Sequence, residues 1–238
     1  MDGVPHAAWL TRIERAVRER GRSPKSALDL ACGTGLATRL LVERGYAEVV
    51  GVDIAPAMVA VAKTKAEAGG WAERAEFLVQ DAAELNLGGR SFDLIVSLFD
   101  SFNYILEPER LKRAFERLFS HCAPGGILAF DMNSEFALET DLFTQRELDG
   151  PVKHDWLASF DEEARLCTVK MAFWVMDGAT GEERHFSETH LQRAYPLERI
   201  EGWLAEVGFS KIEAFGNYGS RKPTRKSDRW LFVAQRDA

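Results

Sequence analysis

Leu28-Asp-Leu-Ala-Cys-Gly-Thr-Gly35 begins as an apolar strand and ends in a glycine-rich turn, and Leu36-Ala-Thr-Arg-Leu-Leu-Val42 follows with helical spacing. Glycine at 33 and 35 lets a backbone come close to a ligand, and the start of the helix offers unpaired amide hydrogens beside it. The helix is expected to bury Leu36, Leu40 and Leu41 and to stop at Gly45. A complete GxGxxG here would mark a dinucleotide site, but its third position is Thr38, where glycine or alanine is needed for helix packing. Asp29 is also badly matched to a pyrophosphate, whereas it can accept hydrogen bonds from an ammonium-bearing ligand. A nucleotide-cofactor oxidoreductase on a similar sheet is therefore the disfavoured alternative.

Outward from this turn, the chain from Lys25 to Asp131 alternates aliphatic runs with helical segments, the signature of βα units in a parallel sheet. Strands are expected at Ser26–Ala31, Glu48–Val52, Phe77–Val79, Phe92–Leu98 and Gly126–Phe130. Pro56 suits the first turn of a helix that buries Met58, Val61 and Ala62. A helix at Glu109–Cys122 carries Leu111, Phe115, Leu118 and Phe119. After Ser134 the rhythm changes to period two, with a turn at Asp177-Gly178 and Gly181, so residues 151–195 read as an antiparallel insert within a single 1–238 domain. A helix at Leu197–Val207 and strands at Ser210–Phe215 and Arg229–Gln235 close the chain.

With 238 residues, 46% of them apolar, the chain can bury a core without staples, and 28% charged with only 8 prolines excludes disordered and collagen-like classes. Cys32, Cys122 and Cys167 are odd in number and widely spaced, with no CxxC or histidine cluster to suggest zinc, which points to a reducing cytoplasm. The amphipathic amino terminus is no secretory signal, and no stretch approaches the roughly 20 apolar residues of a membrane span. A net charge of −7 argues against nucleic acid as the partner.

Two further signals lie at strand ends. Asp53 ends Val49-Val-Gly-Val-Asp53, eighteen residues after Gly35, where a carboxylate can take both hydroxyls of a ribose. Asp81, in Phe77-Leu-Val-Gln-Asp-Ala82, can accept from an exocyclic adenine amine while the Ala82 amide donates to the ring. Together with Phe92-Asp-Leu-Ile-Val-Ser-Leu98 and Pro124-Gly-Gly-Ile-Leu-Ala-Phe-Asp131, these motifs resemble, in order and spacing, the class I S-adenosylmethionine-dependent methyltransferases. The resemblance implies an α/β, doubly wound, mostly parallel seven-stranded Rossmann-like sheet with a reversed last strand. It implies S-adenosylmethionine as cofactor and S-adenosylhomocysteine as product. Asp29, Gly33 and Gly35 would then line the methionine end, Asp53 the ribose, Ile54 and Met58 the adenine face, and Asp81 and Ala82 its polar edge. The Leu98 carbonyl would meet the methionine amine.

Asp100-Ser-Phe-Asn-Tyr104, Phe130-Asp-Met-Asn133 and Phe186-Ser-Glu-Thr-His-Leu-Gln-Arg193 resemble a small-molecule branch that includes amino-sugar N-methyltransferases. That likeness implies a small antiparallel sheet over the acceptor, methyl transfer to nitrogen or oxygen, and a monomer or homodimer. About 24 residues precede the first strand, so closure over the cofactor falls to Trp9 and its neighbours or is missing. If no cofactor binds, a non-catalytic scaffold is the remaining reading.

In-line displacement needs an acceptor held in attack geometry in a dry site, and a base only where the acceptor must lose a proton. Asp100, Tyr104 and His190 are the catalytic candidates, with Asp131, Asn133, His154, Glu188 and Arg193 near the expected mouth. Each has a plainer role: Asp100 as a turn cap, Tyr104 as crevice packing, and half of the insert residues as sheet surface. Period two puts Glu188, His190 and Gln192 on one face and Arg193 on the other. His6, His121 and His185 read as surface or packing residues, and Trp156, Phe173, Trp174 and Phe186 as insert core. The basic loop Arg221-Lys-Pro-Thr-Arg-Lys-Ser-Asp-Arg229 reads as a solvated connection, with an anion clamp as the alternative.

Overall fold

Val49–Val52, Leu94–Val96 and Ile127–Phe130 are unbroken apolar runs, so both faces of each strand must be covered. In the computed structural model, which describes residues 5–178 and 180–238, helices cover both. Chain order is α1 (His6–Glu19), β1 (Ser26–Leu30), α2 (Leu36–Glu43), β2 (Glu48–Asp53), α3 (Pro56–Ala68), β3 (Ala75–Val79), β4 (Phe92–Ser97), α4 (Pro108–His121) and β5 (Cys122–Asn133). Then come α5 (Glu135–Glu139), β6 (Gln145–Glu147), β7 (Val152–Asp161), β8 (Leu166–Met176), β9 (Glu183–Arg193), α6 (Leu197–Val207), β10 (Phe209–Gly216) and β11 (Arg229–Arg236). Met1–Val4 and Ala179, the latter within the expected turn at 177–181, lie outside the described residues.

Seven strands form one sheet in the order β10-β11-β5-β4-β1-β2-β3, parallel except that β11 runs antiparallel to β5 and β10. Alternate residues face opposite sides. Leu28, Ile95, Leu128 and Phe232 pack with Leu111 and Phe115 of α4 and Leu204 of α6. Ala27, Leu94, Ile127 and Leu231 pack on the other side with Ile13 of α1, Leu41 of α2 and Ala62 of α3.

Two helix faces differ from expectation. In α2 the buried residues are Ala37, Thr38, Leu41 and Val42, with Leu36 and Leu40 only half-buried. In α3 they are Val59, Ala62 and Ala66, while Met58 and Val61 stand exposed. The small residues Ala37, Ala62 and Ala66 let these helices lie close to the sheet, and the larger ones are left at the rim.

A second sheet, antiparallel and ordered β6-β7-β8-β9, is built from the insert and the short strand β6 before it. Its register puts Trp156, Met171 and Glu188 in one row and Ala158, Val169 and His190 in the next, all on one face. Leu138 of α5 packs there with Cys167 and Val169. Trp156 meets Phe173 edge-on, and Phe173 stacks on Phe186 at 5.0 Å. Trp174 belongs to the opposite face, where it meets His185, so the expected four-aromatic cluster is three residues. The far end of β9 is tied to the segment after β4: Asn103 Nδ2 donates to the Arg193 carbonyl at 3.0 Å, and the Tyr195 hydroxyl to the Ile105 carbonyl at 2.6 Å.

Candidate functional site

The order of the large sheet reverses at β1, which has β2 on one side and β4 on the other. Chains leaving neighbouring strands in opposite directions open a crevice at the strands' carboxyl ends. Here it consists of two hollows that share Ala31 and Ser101. The larger, about 710 Å³, is lined by Asp29, Gly33, Gly35, Met58 and Leu98 among others. The smaller, about 370 Å³, is lined by Asp53, Ile54, Asp81, Ala82 and Tyr104 among others. Every position to which the sequence assigned a cofactor contact thus lies on this crevice.

The glycine turn is shaped by left-handed backbone. Gly35 has φ +80°, and a Cβ there would sit 3.1 Å from Ala62 Cβ and 3.2 Å from Phe77 Cζ. Gly33 has φ +54°, and a Cβ there would meet nothing within 4 Å. Gly35 is therefore required by packing, while the Gly33 backbone faces the crevice.

Asp53 braces the turn from β2. One carboxylate oxygen accepts from the Gly33 amide at 2.8 Å and the other from the Ala55 amide at 2.9 Å. Each oxygen keeps a lone pair for a further donor. Asp29 is fully buried and accepts from the Thr38 hydroxyl at 2.6 Å. Burial raises its pKa to about 7, with the Thr38 bond pulling the other way. The residue that breaks the dinucleotide fingerprint is thus the partner of the acid in β1 that precedes the turn. Burial pushes the Cys32 thiol up as well, so it is no nucleophile. Asp81 accepts from the Ala83 amide at 2.8 Å and from Arg110 of α4 at 2.6 Å, a cation the sequence reading did not include.

Around Tyr104 the two sheets meet through side chains. The Tyr104 hydroxyl lies 2.9 Å from His190 Nδ1, and His190 Nε2 lies 3.0 Å from a Glu188 carboxylate oxygen. One neutral tautomer satisfies both contacts: Nε2–H donates to Glu188 and Nδ1 accepts from Tyr104. Burial raises the Tyr104 pKa, which keeps the hydroxyl protonated. Glu188 and His190 share a face, as period two requires, and Arg193 points away to the Ala164 carbonyl at 2.9 Å.

Asp100 stands apart from the crevice lining and does not cap the turn it begins. Its oxygens take Arg229 at 2.8 Å and Gln192 Nε2 at 2.8 Å, and Asn133 Nδ2 donates to Gln192 Oε1 at 2.8 Å. Burial raises the Asp100 pKa, and Arg229 opposes that. Asp131, fully buried, accepts the Phe99 amide at 2.7 Å, the Asp100 amide at 3.2 Å and the Tyr218 hydroxyl at 2.8 Å, and it pairs with Arg229. Phe99 and Asp100 are left-handed, at φ +66° and +53°. Each costs about 1–2 kcal/mol for a residue with a Cβ, and the two amide bonds to Asp131 hold them there.

The sequence places Arg229 in a solvated loop, and the structure corrects this. Arg221, Lys222, Arg225 and Lys226 are exposed, but the Arg229 side chain is only 18% exposed and lies between two carboxylates. Burial works against its charge, and Asp131 and Asp100 outweigh that and raise its pKa. Trp9 of α1 stacks on Tyr218 at 4.6 Å, and Arg229 lies over Trp9 and Phe99, 5.5 Å from each ring centre. His6 and Phe99 line the larger hollow, so the first helix does reach the crevice. His121 is buried, accepting from the Leu87 amide and meeting the Arg90 carbonyl. Arg229, Tyr218, Gln192 and Arg110 are what sequence reasoning missed; the one available signal was a single cation placed at the start of a strand.

Residues 27–126 match a family model described as a methyltransferase domain. A candidate methyltransferase of Geobacillus sp. (strain WCH70) is 30% identical over 99% of this chain and 95% of its own length. The crystal structure of an S-adenosylmethionine-dependent methyltransferase from Clostridium acetobutylicum superposes with a TM-score of 0.90 at 28% identity, over 100% of this chain and 94% of that one. A sugar N-methyltransferase from Streptoalloteichus sp. ATCC 53650 superposes with a TM-score of 0.77 at 27% identity, over 99% and 90%.

Proposed function

Because the chain belongs to the S-adenosylmethionine-dependent methyltransferases, we propose that it methylates a small molecule bound between the strand ends and the second sheet, at an amine nitrogen or a hydroxyl oxygen. The fit of the cofactor rests on the crevice itself: a Gly33 backbone open to it, Asp53 with spare lone pairs, and a buried Asp29. Asp53 would hold the ribose, Ile54 and Met58 one face of the adenine, Asp81 and Ala82 its edge, and Asp29 and the Leu98 carbonyl the amino-acid end. When bound, the cofactor supplies an electrophilic methyl group.

The observation that carries the acceptor assignment is the chain that begins at Tyr104, on the smaller hollow, and runs behind it through His190 to Glu188, neither of which lines the crevice. An acceptor O–H or N–H that bonds to the Tyr104 oxygen has a path for its proton. The proton moves to Tyr104 as the Tyr104 proton moves to His190 Nδ1, and Glu188 then faces an imidazolium. Asp100, with both oxygens engaged, positions this wall and takes no proton. Trp156, Phe173 and Phe186, on the same face of the second sheet, offer apolar surface to the acceptor's body. Likeness to a sugar N-methyltransferase supports nitrogen over oxygen. A net charge of −7 supports a small acceptor over nucleic acid, and three buried free cysteines support a reducing cytoplasm. Among the described residues no helix is long and apolar enough to cross a membrane.

The test is a screen of small amines and alcohols with methyl-labelled cofactor, followed by Tyr104→Phe and His190→Ala on the best acceptor. Each substitution should lower kcat by about 10²-fold or more, the scale of general-base catalysis, with cofactor affinity unchanged. Unchanged kcat in both would remove the proton path and leave methyl transfer by positioning alone.

A further inference from the structure

The turn from Leu98 to Tyr104 is the wall shared by both hollows: Leu98 and Phe99 line the larger, Tyr104 the smaller, and Ser101 both. The amides of the left-handed Phe99 and Asp100 are held by Asp131, at the end of the neighbouring strand β5, while within the turn the Ser101 hydroxyl donates to the Leu98 carbonyl and the Asn103 amide to the Asp100 carbonyl. Asp131 and Asp100 are both buried, and two carboxylates so close repel each other unless a cation lies between them. Arg229, at the start of β11, reaches both.

We propose that Arg229 is a positioning residue of the methyl-transfer site, fixing the Leu98–Tyr104 wall by bridging Asp100 and Asp131. The proposal rests on the assignment of the crevice to the cofactor. Its planar fork can bond one carboxylate with each arm, and its flat face can lie against Trp9 and Phe99, as it does here. A lysine ammonium keeps the charge but cannot do all three. Through Gln192, which donates to Asp100, the same bridge also sets the position of β9 and therefore of His190.

Calorimetric titration of the whole protein with S-adenosylhomocysteine separates this role from plain stabilisation. A residue that only stabilises lowers the number of sites per chain and leaves the Kd of the folded fraction alone; a displaced wall raises the Kd. Arg229→Lys is expected to bind about tenfold more weakly at near-full stoichiometry. Tyr218→Phe, which removes one hydroxyl from Asp131 and keeps the ring against Trp9, is the second variant and should weaken binding about threefold. A Kd within twofold of the parent in both variants, whatever happens to stoichiometry or Tm, overturns the proposal. Failure of the parent protein itself to bind S-adenosylhomocysteine would instead overturn the cofactor assignment beneath it.

Discussion

Asp53→Asn is the substitution whose cost can be worked most directly. In the parent, each carboxylate oxygen accepts one backbone amide, Gly33 at 2.8 Å and Ala55 at 2.9 Å. Asparagine has one oxygen and one NH₂, so in either orientation one of those amides faces a donor. That forfeits one charge-assisted hydrogen bond, about 1.5–3 kcal/mol, and loosens the glycine turn. Bound ribose hydroxyls lose a charged acceptor for a neutral one, a loss of similar size at most. With about 1.4 kcal/mol per tenfold, S-adenosylhomocysteine affinity should fall by roughly 10- to 150-fold. Calorimetry with the two proteins side by side reads the ratio, and a thermal melt confirms that the variant is folded. A folded Asp53→Asn protein with a Kd within threefold of the parent would refute the reasoning, because neither the turn nor the ribose would then depend on this carboxylate.

The two glycines of the turn should separate binding from stability. Gly35→Ala meets Ala62 and Phe77 and should lower stability by about 2–5 kcal/mol, the sum of left-handed strain and overpacking, whereas Gly33→Ala, whose Cβ enters open space, should cost only about 1–2 kcal/mol yet weaken cofactor binding at least tenfold. Equal losses of Tm and affinity in the two variants would contradict this. Asp29 should make the ligand-free protein sensitive to pH. Its carboxyl titrates at about 7 when folded against 3.8 ordinarily, so the unfolded chain releases the proton first and stability declines as pH rises from about 4 through about 7. Asp29→Asn keeps an acceptor for Thr38 and removes the titration, so its Tm should fall by several degrees less than the parent's between about pH 5 and 8; parallel melting curves would show that Asp29 is not the group responsible.

Periodicity and turn chemistry are local, and what they govern was legible in the chain. The strand, glycine turn and helix at 28–42, the acids ending β2 and following β3, and the switch to period two after Ser134 each leave a mark within about ten residues. The βα units and the antiparallel insert follow from those marks, whereas the seven-stranded, doubly wound order is what the resemblance to the methyltransferases implied, and the sheet has it. The buried faces of α2 and α3 differ from those that side-chain size predicts. Close approach to the sheet selects Ala37, Ala62 and Ala66, and Met58 is left free to line the crevice. β6, three exposed residues at an edge, carries no apolar alternation to read. Arg229 was hidden for a different reason. Its neighbours Arg225 and Lys226 are solvated, and only the fold brings Asp100 and Asp131 against it, 129 and 98 positions away in sequence. A buried charge is decided by its partners, and partners so distant leave no trace in local composition.

The central claim, that this crevice holds S-adenosylmethionine with its ribose on Asp53, is tested most directly by a crystal structure with S-adenosylhomocysteine. The account predicts both ribose hydroxyls within hydrogen-bond distance of the Asp53 carboxylate, adenine between Ile54 and the Asp81–Ala82 edge, and the amino-acid end over Gly33 towards Leu98. A ligand bound elsewhere, or bound here with Asp53 touching only Gly33 and Ala55, would contradict it.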